Sequence, residues 1–195
     1  MPARQLEFAP GCYYHLYNRG AHRMSLFRCP DNYLFVLERM KKYAAELQLT
    51  IIAYCLLPNH YHWLLRQDGD QPAGMLAQRV FNSYSKAYNK AYQHIGTLFE
   101  TRYKGILVDS DEYLRHLCCY IHANPVLHGI ADTVELWPYS NYPEWIGMRN
   151  GTIIDRTFVE ALFPHPDHYR AMVHNYITGR HKFPLGLQSY LASLE

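Results

Sequence analysis

Two histidines separated by one residue, His60 and His62, lie in the apolar segment PNHYHWLL, residues 58–65. Imidazole nitrogens are common metal ligands, and two of them on one side of a strand can hold a metal ion together. Successive side chains of a strand point to opposite faces, so His60 and His62 share one face while Tyr61 and Trp63 share the other. The pattern therefore predicts either a metal site on a sheet or two neutral, hydrogen-bonded histidines without a catalytic role.

A second set of polar residues, His116, Tyr120 and Asn124, recurs at intervals of four in a segment with helical periodicity. This spacing places them on one helical face. Pro125 disfavours helical backbone at the preceding residue, so we expect the helix to end at Asn124. A carboxamide oxygen held there could be a third ligand. Two imidazoles and one amide leave open coordination positions, which suits Mg²⁺ or Mn²⁺ engaging a phosphate oxygen.

Tyr120 lies one turn from this candidate ligand and could be a nucleophile. A phenol with a pKa of about 10 attacks poorly at neutral pH unless its target is polarised, as a divalent cation on a phosphate would do. Attack would form a phosphotyrosine and release a DNA 3′-hydroxyl. That ester conserves the bond energy, so rejoining needs no ATP, and the chain contains no GxxxxGK[ST] phosphate loop.

The elements that must position these residues follow from the apolar pattern. It predicts strands at 12–18, 50–57, 60–66 and 102–108, and helices at 31–47, 71–92, 109–123, 155–162 and 167–178. The order strand, helix, strand, strand, helix, strand is typical of an α+β fold, the ferredoxin-like (split βαβ) antiparallel sheet. We expect its two helices on one face and the histidine pair on the other, free face.

Composition limits the class of protein. With 195 residues, 49% apolar and 18% charged, the chain has the make-up of one globular domain. No uncharged apolar segment of 18 residues or more is present, and residues 1–14 lack the apolar run of a signal peptide, so we expect a cytoplasmic protein. The five cysteines include no CxxC pair, which argues against a disulfide framework or thiolate zinc site.

The net charge of +2 is too small to indicate a polyanionic partner, but the local distribution is informative. Between residues 79 and 104 one acid, Glu100, accompanies five cations interleaved with aromatic residues: Arg79, Lys86, Lys90, Arg102 and Lys104. Cations beside aromatic rings suit single-stranded nucleic acid, which offers phosphates and unstacked bases. A solvated helix whose aromatic residues face the core fits the segment equally well.

Several segments resemble one known family. LLPNHYHWLL resembles the HUH motif of single-tyrosine HUH transposases and relaxases, in which U is a hydrophobic residue. YIHANPVLHGI, residues 120–130, resembles the YIxxNPVxxG signature of the REP-associated tyrosine transposases. YYHLYNRG, GTLFETRYKGILVDSDEYL and WPYSNY add to the likeness, which spans residues 11–142. Their joint order is far more specific than two histidines alone.

This resemblance implies a metal-dependent single-strand DNA endonuclease and strand transferase with a 5′-phosphotyrosine intermediate. It implies His60 and His62 as metal ligands, Asn124 as an additional ligand and Tyr120 as nucleophile. Substrates of the family are DNA hairpins of repetitive extragenic palindromes (REPs), flanked by a short guide sequence. We expect a nucleoid-associated protein that acts as a monomer rather than a dimer.

By analogy, DNA contacts and domain limits can also be assigned. We expect five cations to meet the DNA backbone and Arg19, in YNRG, to contact bases or the guide: Arg79, Lys86, Lys90, Arg102 and Lys104. Residues 1–142 would form the nuclease domain. Residues 143–195 would form a C-terminal extension, packed on or near the DNA-binding face.

Two other functions remain open from the sequence. One is a non-catalytic nucleic-acid-binding module in which the histidines and Tyr120 are structural. The other is a metal-dependent phosphodiesterase that uses water and forms no covalent adduct with the protein.

Overall fold

The computed structural model describes residues 6–179 and contains a four-stranded antiparallel sheet. The strands are β1 (Tyr13–Arg19), β2 (Leu49–Leu57), β3 (His60–Gln67) and β4 (Lys104–Val108), in the spatial order β2-β3-β1-β4. Helix α1 (Pro30–Glu46) connects β1 to β2, and α2 (Gly74–Tyr92) connects β3 to β4. This order confirms the predicted ferredoxin-like sheet, with strand ends within two residues of those predicted.

One face of the sheet packs on α1 and α2, as the sequence predicts. Tyr14, Leu16, Tyr61 and Trp63 are fully buried there in an aromatic and apolar core. β2 and β3 form a tight hairpin through residues 58–59, with Leu57 opposite His60. This register follows from the alternation in β3, because a shift by one residue would place the aromatic residues on the histidine side.

The opposite face is covered, contrary to the expectation of a free face. Helix α3 (Asp111–Leu127) lies across it and packs on β2 and β3. α3 is apolar on its inner side, where Leu117 and Ile121 are fully buried, and Ile52 and Leu64 of the sheet join them in a second core. The prediction failed because it assigned only the two crossover helices to the sheet and left α3 without a surface to bury.

α3 also continues past Pro125, whereas the sequence predicted an end at Asn124. A proline inside a helix removes one backbone hydrogen bond, but here only the last turn follows it. That turn is secured by His128 N, which donates to Asn124 O at 3.0 Å, and by Ile130 N, which donates to Pro125 O at 2.8 Å. At the other end Ser110 Oγ caps the helix by accepting from Tyr113 N.

The segment WPYSNY, residues 137–142, protects the outer edge of β2. Leu56 N donates to Tyr139 O at 2.9 Å, and Tyr54 N donates to the side-chain oxygen of Asn141 at 2.8 Å. Backbone groups of an edge strand otherwise offer a pairing surface to another chain. These bonds attach the following residues firmly to the sheet.

The remaining helices extend the helical layer that covers the second face of the sheet. They are α4 (Tyr142–Trp145), α5 (Arg156–Leu162) and α6 (Pro166–Ile177), and short 3₁₀ turns occur at Ala21–Arg23 and Val134–Leu136. α6 packs on α3 through Tyr169 and Val173, so residues 143–179 share the core of the domain. Residues 180–195 of the predicted extension lie outside the described residues. None of the described helices combines the length and apolarity that a membrane crossing requires.

Candidate active site

The histidine pair lies at the start of β3, between the sheet and α3. The ring centroids of His60 and His62 are 5.3 Å apart and the rings are nearly perpendicular, at 87°. The two residues are 7% and 2% exposed, respectively. In the register of β1 and β3, Arg19 is opposite His60 and Tyr17 is opposite His62. β1 therefore adds one cation and one aromatic ring to the site.

Hydrogen bonds hold the Nδ1 atom of each histidine. His60 Nδ1 lies 2.7 Å from Asn59 Oδ1, which only accepts, so this nitrogen carries the proton and Nε2 carries the lone pair. His62 Nδ1 lies 3.0 Å from His15 Nε2. If His62 donates in this pair, its Nε2 is also left as a lone pair. Such partners fix the orientation and tautomer of a ligating histidine.

Both rings are in the neutral form that metal ligation requires. Burial lowers the pKa of His60 to about 3, and the neighbouring His128 and Arg19 lower it further. Burial also lowers the pKa of His62 well below its usual value, with smaller contributions from His15 and His60. Charged imidazoles are thus disfavoured in the metal-free site at neutral pH.

α3 brings Tyr120, Asn124 and His128 to the histidine pair from successive turns. The Tyr120 ring stands edge-on to His62, with centroids 5.3 Å apart. The Asn124 side chain interacts with the His60 ring, and this hydrogen-bonding interaction raises the pKa of His60 against the effect of burial. The His128 ring is 4.9 Å from that of His60. The structure therefore brings the predicted nucleophile and all three predicted ligands together.

Asn124 is oriented by one hydrogen bond and has one unused atom. Its Nδ2 donates to Tyr120 O at 2.7 Å, while its buried Oδ1 makes no hydrogen bond of regular geometry among the described residues, although the side chain interacts with His60. An unpaired buried oxygen costs about 1–3 kcal/mol, so such atoms commonly have a functional explanation. A cation that accepts this oxygen as a ligand would remove that cost.

The residues present fit a weakly held divalent cation. Two imidazole Nε2 atoms and one amide oxygen supply three ligands without a carboxylate. Within residues 6–179 no group of three or more His, Cys, Asp or Glu is arranged to hold a metal ion. A cation between His60, His62 and Asn124 would therefore depend on further oxygen ligands from water or phosphate, as Mg²⁺ commonly does.

A cavity of 470 Å³ opens beside His60. Arg19 and Arg23 line it from the end of β1 and the following 3₁₀ turn, and His128 lines it from the end of α3. No carboxylate is among its described lining residues. Two guanidinium groups beside the neutral imidazole of His60 favour an anion such as a phosphodiester.

Tyr120 is buried, with 2% of its surface exposed. On its other side it meets Tyr176 of α6, with ring centroids 6.3 Å apart. The Tyr176 ring thus covers the phenol on the side of α6. Tyr120 is buried because it belongs to the core between the sheet and the helices that cover its second face.

The predicted DNA contacts are distributed over both sides of the sheet. Arg19 lies at the histidine pair, and Lys104 Nζ lies 5.8 Å from the centroid of the Tyr17 ring. Arg102 and Lys104 also line a second cavity next to α2. Arg79, Lys86 and Lys90 lie on α2, which packs on the face opposite the histidines. Arg79 is partly neutralised by Glu46, at 3.4 Å.

Sequence reasoning missed two histidines of this site. His15 could have been found from the strand pattern, because it shares a strand face with Tyr17, but its partner His62 follows only from the register of β1 and β3. His128 was missed because the helix was expected to end at Asn124, four residues earlier. His128 lies in the site because α3 continues past Pro125 and brings it there.

His116 and His122, interpreted mainly as structural, lie apart from this cluster. His122 is fully buried and bonded on both ring nitrogens, at 2.5 Å to the Tyr169 hydroxyl and 2.9 Å to Asn141 Oδ1. His116 Nε2 is 4.0 Å from Glu112 on the preceding turn. The contacts of His122 agree with a structural role.

Comparison with known proteins identifies the family. Residues 9–124, from before β1 to Asn124, match the family model described as "Transposase IS200 like". The chain belongs to the IS200-like transposase family. The match covers more than half of the chain and includes the histidine pair, Tyr120 and Asn124.

Among its relatives is a REP-associated tyrosine transposase of Escherichia coli (strain K12), 28% identical over 97 residues, which are 47% of this chain and 53% of the relative. A protein of Haemophilus influenzae that bears the same name provisionally is 30% identical over 102 residues, covering 47% of this chain and 57% of the relative. The match thus spans about half the length of each relative. These similarities confirm the resemblance seen in the sequence motifs.

A solved structure described as a REP-associated tyrosine transposase bound to a REP hairpin has a similar fold. Its TM-score is 0.65 at 18% identity, and the match covers 80% of this chain and 98% of the other. At this identity the likeness supports the fold alone, and it confirms the α+β architecture.

Proposed function

We propose that this IS200-like transposase family member is a metal-dependent single-strand DNA endonuclease and strand transferase. It would act on DNA hairpins of repetitive extragenic palindromes through a 5′-phosphotyrosine intermediate. The observation that carries this proposal is the meeting of Tyr120 with two neutral histidines and with Asn124, whose buried Oδ1 makes no hydrogen bond of regular geometry within residues 6–179. A purely structural cluster would be expected to satisfy that oxygen, as the His122 cluster satisfies its polar atoms.

The cofactor in this proposal is Mg²⁺ or Mn²⁺. His60 Nε2, His62 Nε2 and Asn124 Oδ1 would hold it. When bound, such a cation polarises a phosphate oxygen and offsets the negative charge that develops there. His15 and Asn59 would orient the two rings from behind through their bonds to Nδ1.

The chain's own groups then have defined tasks. Arg19 and Arg23 would bind the phosphodiester at the mouth of the site. Tyr120 Oη would form a bond to phosphorus and lose its proton to solvent, while the bond from phosphorus to the 3′-oxygen breaks and that oxygen leaves protonated. The reverse attack by another 3′-hydroxyl would release Tyr120 and join the strands. Because a phosphodiester is exchanged for a phosphodiester, the reaction needs no ATP.

The DNA partner is proposed from the relatives and from the charge distribution. The structure of similar fold holds a REP hairpin, and it matches most of this chain. We assign the backbone contacts to Arg79, Lys86, Lys90, Arg102 and Lys104, and we propose that a single copy of the chain acts alone. Lys104 reaches the histidine side, over the Tyr17 ring.

A labelled hairpin oligonucleotide with single-stranded flanks tests the proposal. We expect a covalent protein–DNA band on a denaturing gel in Mn²⁺ or Mg²⁺, and no band in EDTA. Tyr120→Phe should abolish it. Tyr176→Phe is the matched control, because it removes a neighbouring hydroxyl and keeps the ring that packs on Tyr120.

Other outcomes would replace the proposal. Metal-dependent cleavage without an adduct would identify a phosphodiesterase that uses water. Hairpin binding without cleavage or adduct, over a range of REP-like hairpins and both metals, would identify a non-catalytic binding module.

A further inference from the structure

The proposed cation ligands and the groups that orient them are all uncharged. His60 and His62 are neutral, and Asn124 contributes an amide oxygen. Asn59 bonds the His60 ring through an amide oxygen. His15 bonds the His62 ring and is itself neutral, because burial lowers its pKa to about 3. Protein sites for hard divalent cations commonly include one or two carboxylates, so this site offers a cation lone pairs without the usual opposite charge.

The permanently charged side chains that line the cavity beside His60 are cations. Arg19 and Arg23 contribute guanidinium groups, and no carboxylate is among the lining residues in the described part of the chain. Arg19 is opposite His60 in the register of β1 and β3. Besides burial and the neighbouring imidazoles, its charge lowers the pKa of both His60 and His62. A charge that disfavours a proton on these rings also disfavours a divalent cation between them.

A tight turn after β1 holds the backbone of Arg23 at this cavity. His22 and Arg23 both have left-handed backbone conformations, with φ of 52° and 58°, which residues with a Cβ rarely adopt. Arg23 N donates to Gly20 O at 3.0 Å and closes the turn. A Cβ on Gly20 would clash with Met24 O, so glycine is required at this close approach. Disfavoured conformations of this kind cluster at ligand sites, where the surrounding structure maintains them.

The same turn is bonded to the hairpin that carries His60. Gly20 N donates to Asn59 O at 2.8 Å, and Phe27 N donates to Pro58 O at 3.0 Å. These bonds join the connection after β1 directly to the turn between β2 and β3. The fold itself therefore brings the two arginines and the histidine pair together, before any ligand binds.

This arrangement of charges makes the two expected ligands of the site depend on each other. A divalent cation alone is repelled by two guanidinium groups and has only three protein ligands. A phosphodiester that binds with the cation supplies a negative charge, which offsets this repulsion, and an oxygen that can complete the coordination. The cation in turn attracts the phosphate more strongly than the neutral imidazoles do.

We propose that Arg19 and Arg23 couple binding of the divalent cation to binding of the DNA phosphodiester. Each ligand strengthens binding of the other, and the DNA-free protein holds the cation weakly. This inference rests on the proposed function for its two ligands. It gives the arginines a second task, which is to disfavour the cation in the absence of DNA. Because binding free energies are reciprocal, DNA must raise the cation affinity by the same factor as the cation raises the DNA affinity.

Two titrations of the full-length Tyr120→Phe protein measure this coupling, because the variant leaves the DNA intact. Electron paramagnetic resonance follows free Mn²⁺ with and without a REP-like hairpin that carries single-stranded flanks, and the hairpin alone is the blank. Fluorescence anisotropy follows hairpin binding in Mn²⁺ and in EDTA. Couplings between two ligands usually amount to about 5–150-fold, and we expect about tenfold or more, equal in the two titrations.

Substitutions of the arginines assign the coupling to their charge. Arg23→Gln and Arg19→Gln should each raise the Mn²⁺ affinity of the DNA-free protein by about threefold or more and reduce the coupling. Arg23→Lys keeps the charge and should behave as the parent. Arg28→Gln is the matched control, because it removes an arginine from the same connection, outside the cavity lining, where the guanidinium stacks on Tyr92. Thermal unfolding checks that all four variants are folded.

The inference is overturned if the hairpin leaves the Mn²⁺ affinity unchanged, or if the folded Gln variants at positions 19 and 23 keep the parent's Mn²⁺ affinity without DNA. An equal rise of this affinity in Arg28→Gln would also overturn it. These results leave the catalytic proposal intact, provided that the protein with Tyr120 still forms its adduct. Coupling that falls in the Gln variants, in a protein that forms no adduct, would support the inference and reject the catalytic proposal. Absence of Mn²⁺ binding both with and without the hairpin would reject both.

Discussion

The two faces of the sheet are both buried, but they bury different chemistry. On the α1–α2 face, Tyr14, Leu16 and Trp63 pack in a core of apolar and aromatic side chains. On the α3 face, His15 and His62 are buried just as deeply and bonded to each other at 3.0 Å. Apolar burial stabilises the fold, whereas burial of imidazoles carries a desolvation cost that pairing must offset. Burial alone therefore does not separate core from site.

The α3 face itself contains two polar clusters, and the difference between them is informative. In the cluster of His122, Asn141 and Tyr169, both imidazole nitrogens have partners. In the cluster around His60 and His62, Asn124 Oδ1 makes no hydrogen bond of regular geometry with any residue that the structure describes. We infer that the first cluster fixes the chain and the second serves to bind a ligand. Three predictions test this division, and a fourth concerns the exposed surface of α2 on the other face.

The largest effect is expected at the histidine pair. His62→Ala removes a proposed ligand, so adduct formation should fall by about 1000-fold or more, since a metal ion contributes several kcal/mol to such a reaction. Mn²⁺ binding by calorimetry should be lost in parallel, with the fold retained. His168→Ala, at an exposed position of α6, is the control. Unchanged Mn²⁺ affinity in the His62 variant would refute the ligand assignment.

The second prediction concerns Asn141 in the structural cluster. Its side-chain oxygen accepts from Tyr54 N and His122 Nε2, and its Nδ2 donates to Ile52 O at 2.8 Å. Asn141→Ala removes the partner of Tyr54 N and of His122 Nε2, while Ile52 O keeps Trp145 Nε1 at 3.3 Å, and it should lower the free energy of unfolding by about 2 kcal/mol or more. Urea denaturation measures this change in the free energy of unfolding, and Asn175→Ala on α6 is the control. A loss below about 1 kcal/mol would contradict the assigned role.

The third prediction separates orientation from ligation at His15. His15→Gln keeps an acceptor for His62 Nδ1, whereas His15→Phe keeps only the shape of a ring. We expect Mn²⁺ affinity to fall by about 10–100-fold in the Phe variant and to remain near that of the unmutated protein in the Gln variant. Both variants are first shown to be folded by unfolding curves, and their Mn²⁺ affinities are then measured by calorimetric titration. Equal affinities in the two variants would show that this hydrogen bond does not orient the ligand.

The smallest effect is expected on the exposed side of α2. Changing Lys86 and Lys90 together to Glu should weaken binding of a single-stranded oligonucleotide and lower its salt slope by about 0.7 for each phosphate that the protein no longer neutralises. Fluorescence anisotropy at several salt concentrations measures both quantities. Changing Lys41 and Lys42, at exposed positions of α1, to Glu makes the same change in net charge elsewhere and is the control. An unchanged affinity and slope would exclude this surface from DNA binding.

Much of the fold could be predicted from local pattern. The alternation in PNHYHWLL gave the two faces of β3, and the apolar run before it gave β2, because both depend on near neighbours in the sequence. The position of α3 could not be obtained in this way. Its apolar side requires a partner surface, but which surface depends on contacts between distant segments, and so the covered second face was missed.

For the candidate site, too, the sequence predicted the main residues but missed those that support them. His60, His62, Tyr120 and Asn124 were chosen by residue type and spacing, and the structure brings them together. The supporting residue His15 depends on strand register, and His128 depends on a helix that continues past a proline. Neither the unpaired Oδ1 of Asn124 nor the cavity beside α2 is visible in a sequence, since both are properties of packing.

The most direct test of the catalytic assignment is to identify the residue that carries the DNA. After reaction of the protein with a REP-like hairpin in Mn²⁺, nuclease and trypsin digestion leave a peptide with a nucleotide attached, and mass spectrometry locates it. We predict a 5′-phosphotyrosyl nucleotide on Tyr120. A nucleotide on Tyr176 or on any other residue would contradict the assignment of the nucleophile, and cleaved DNA with no modified peptide would contradict covalent catalysis itself.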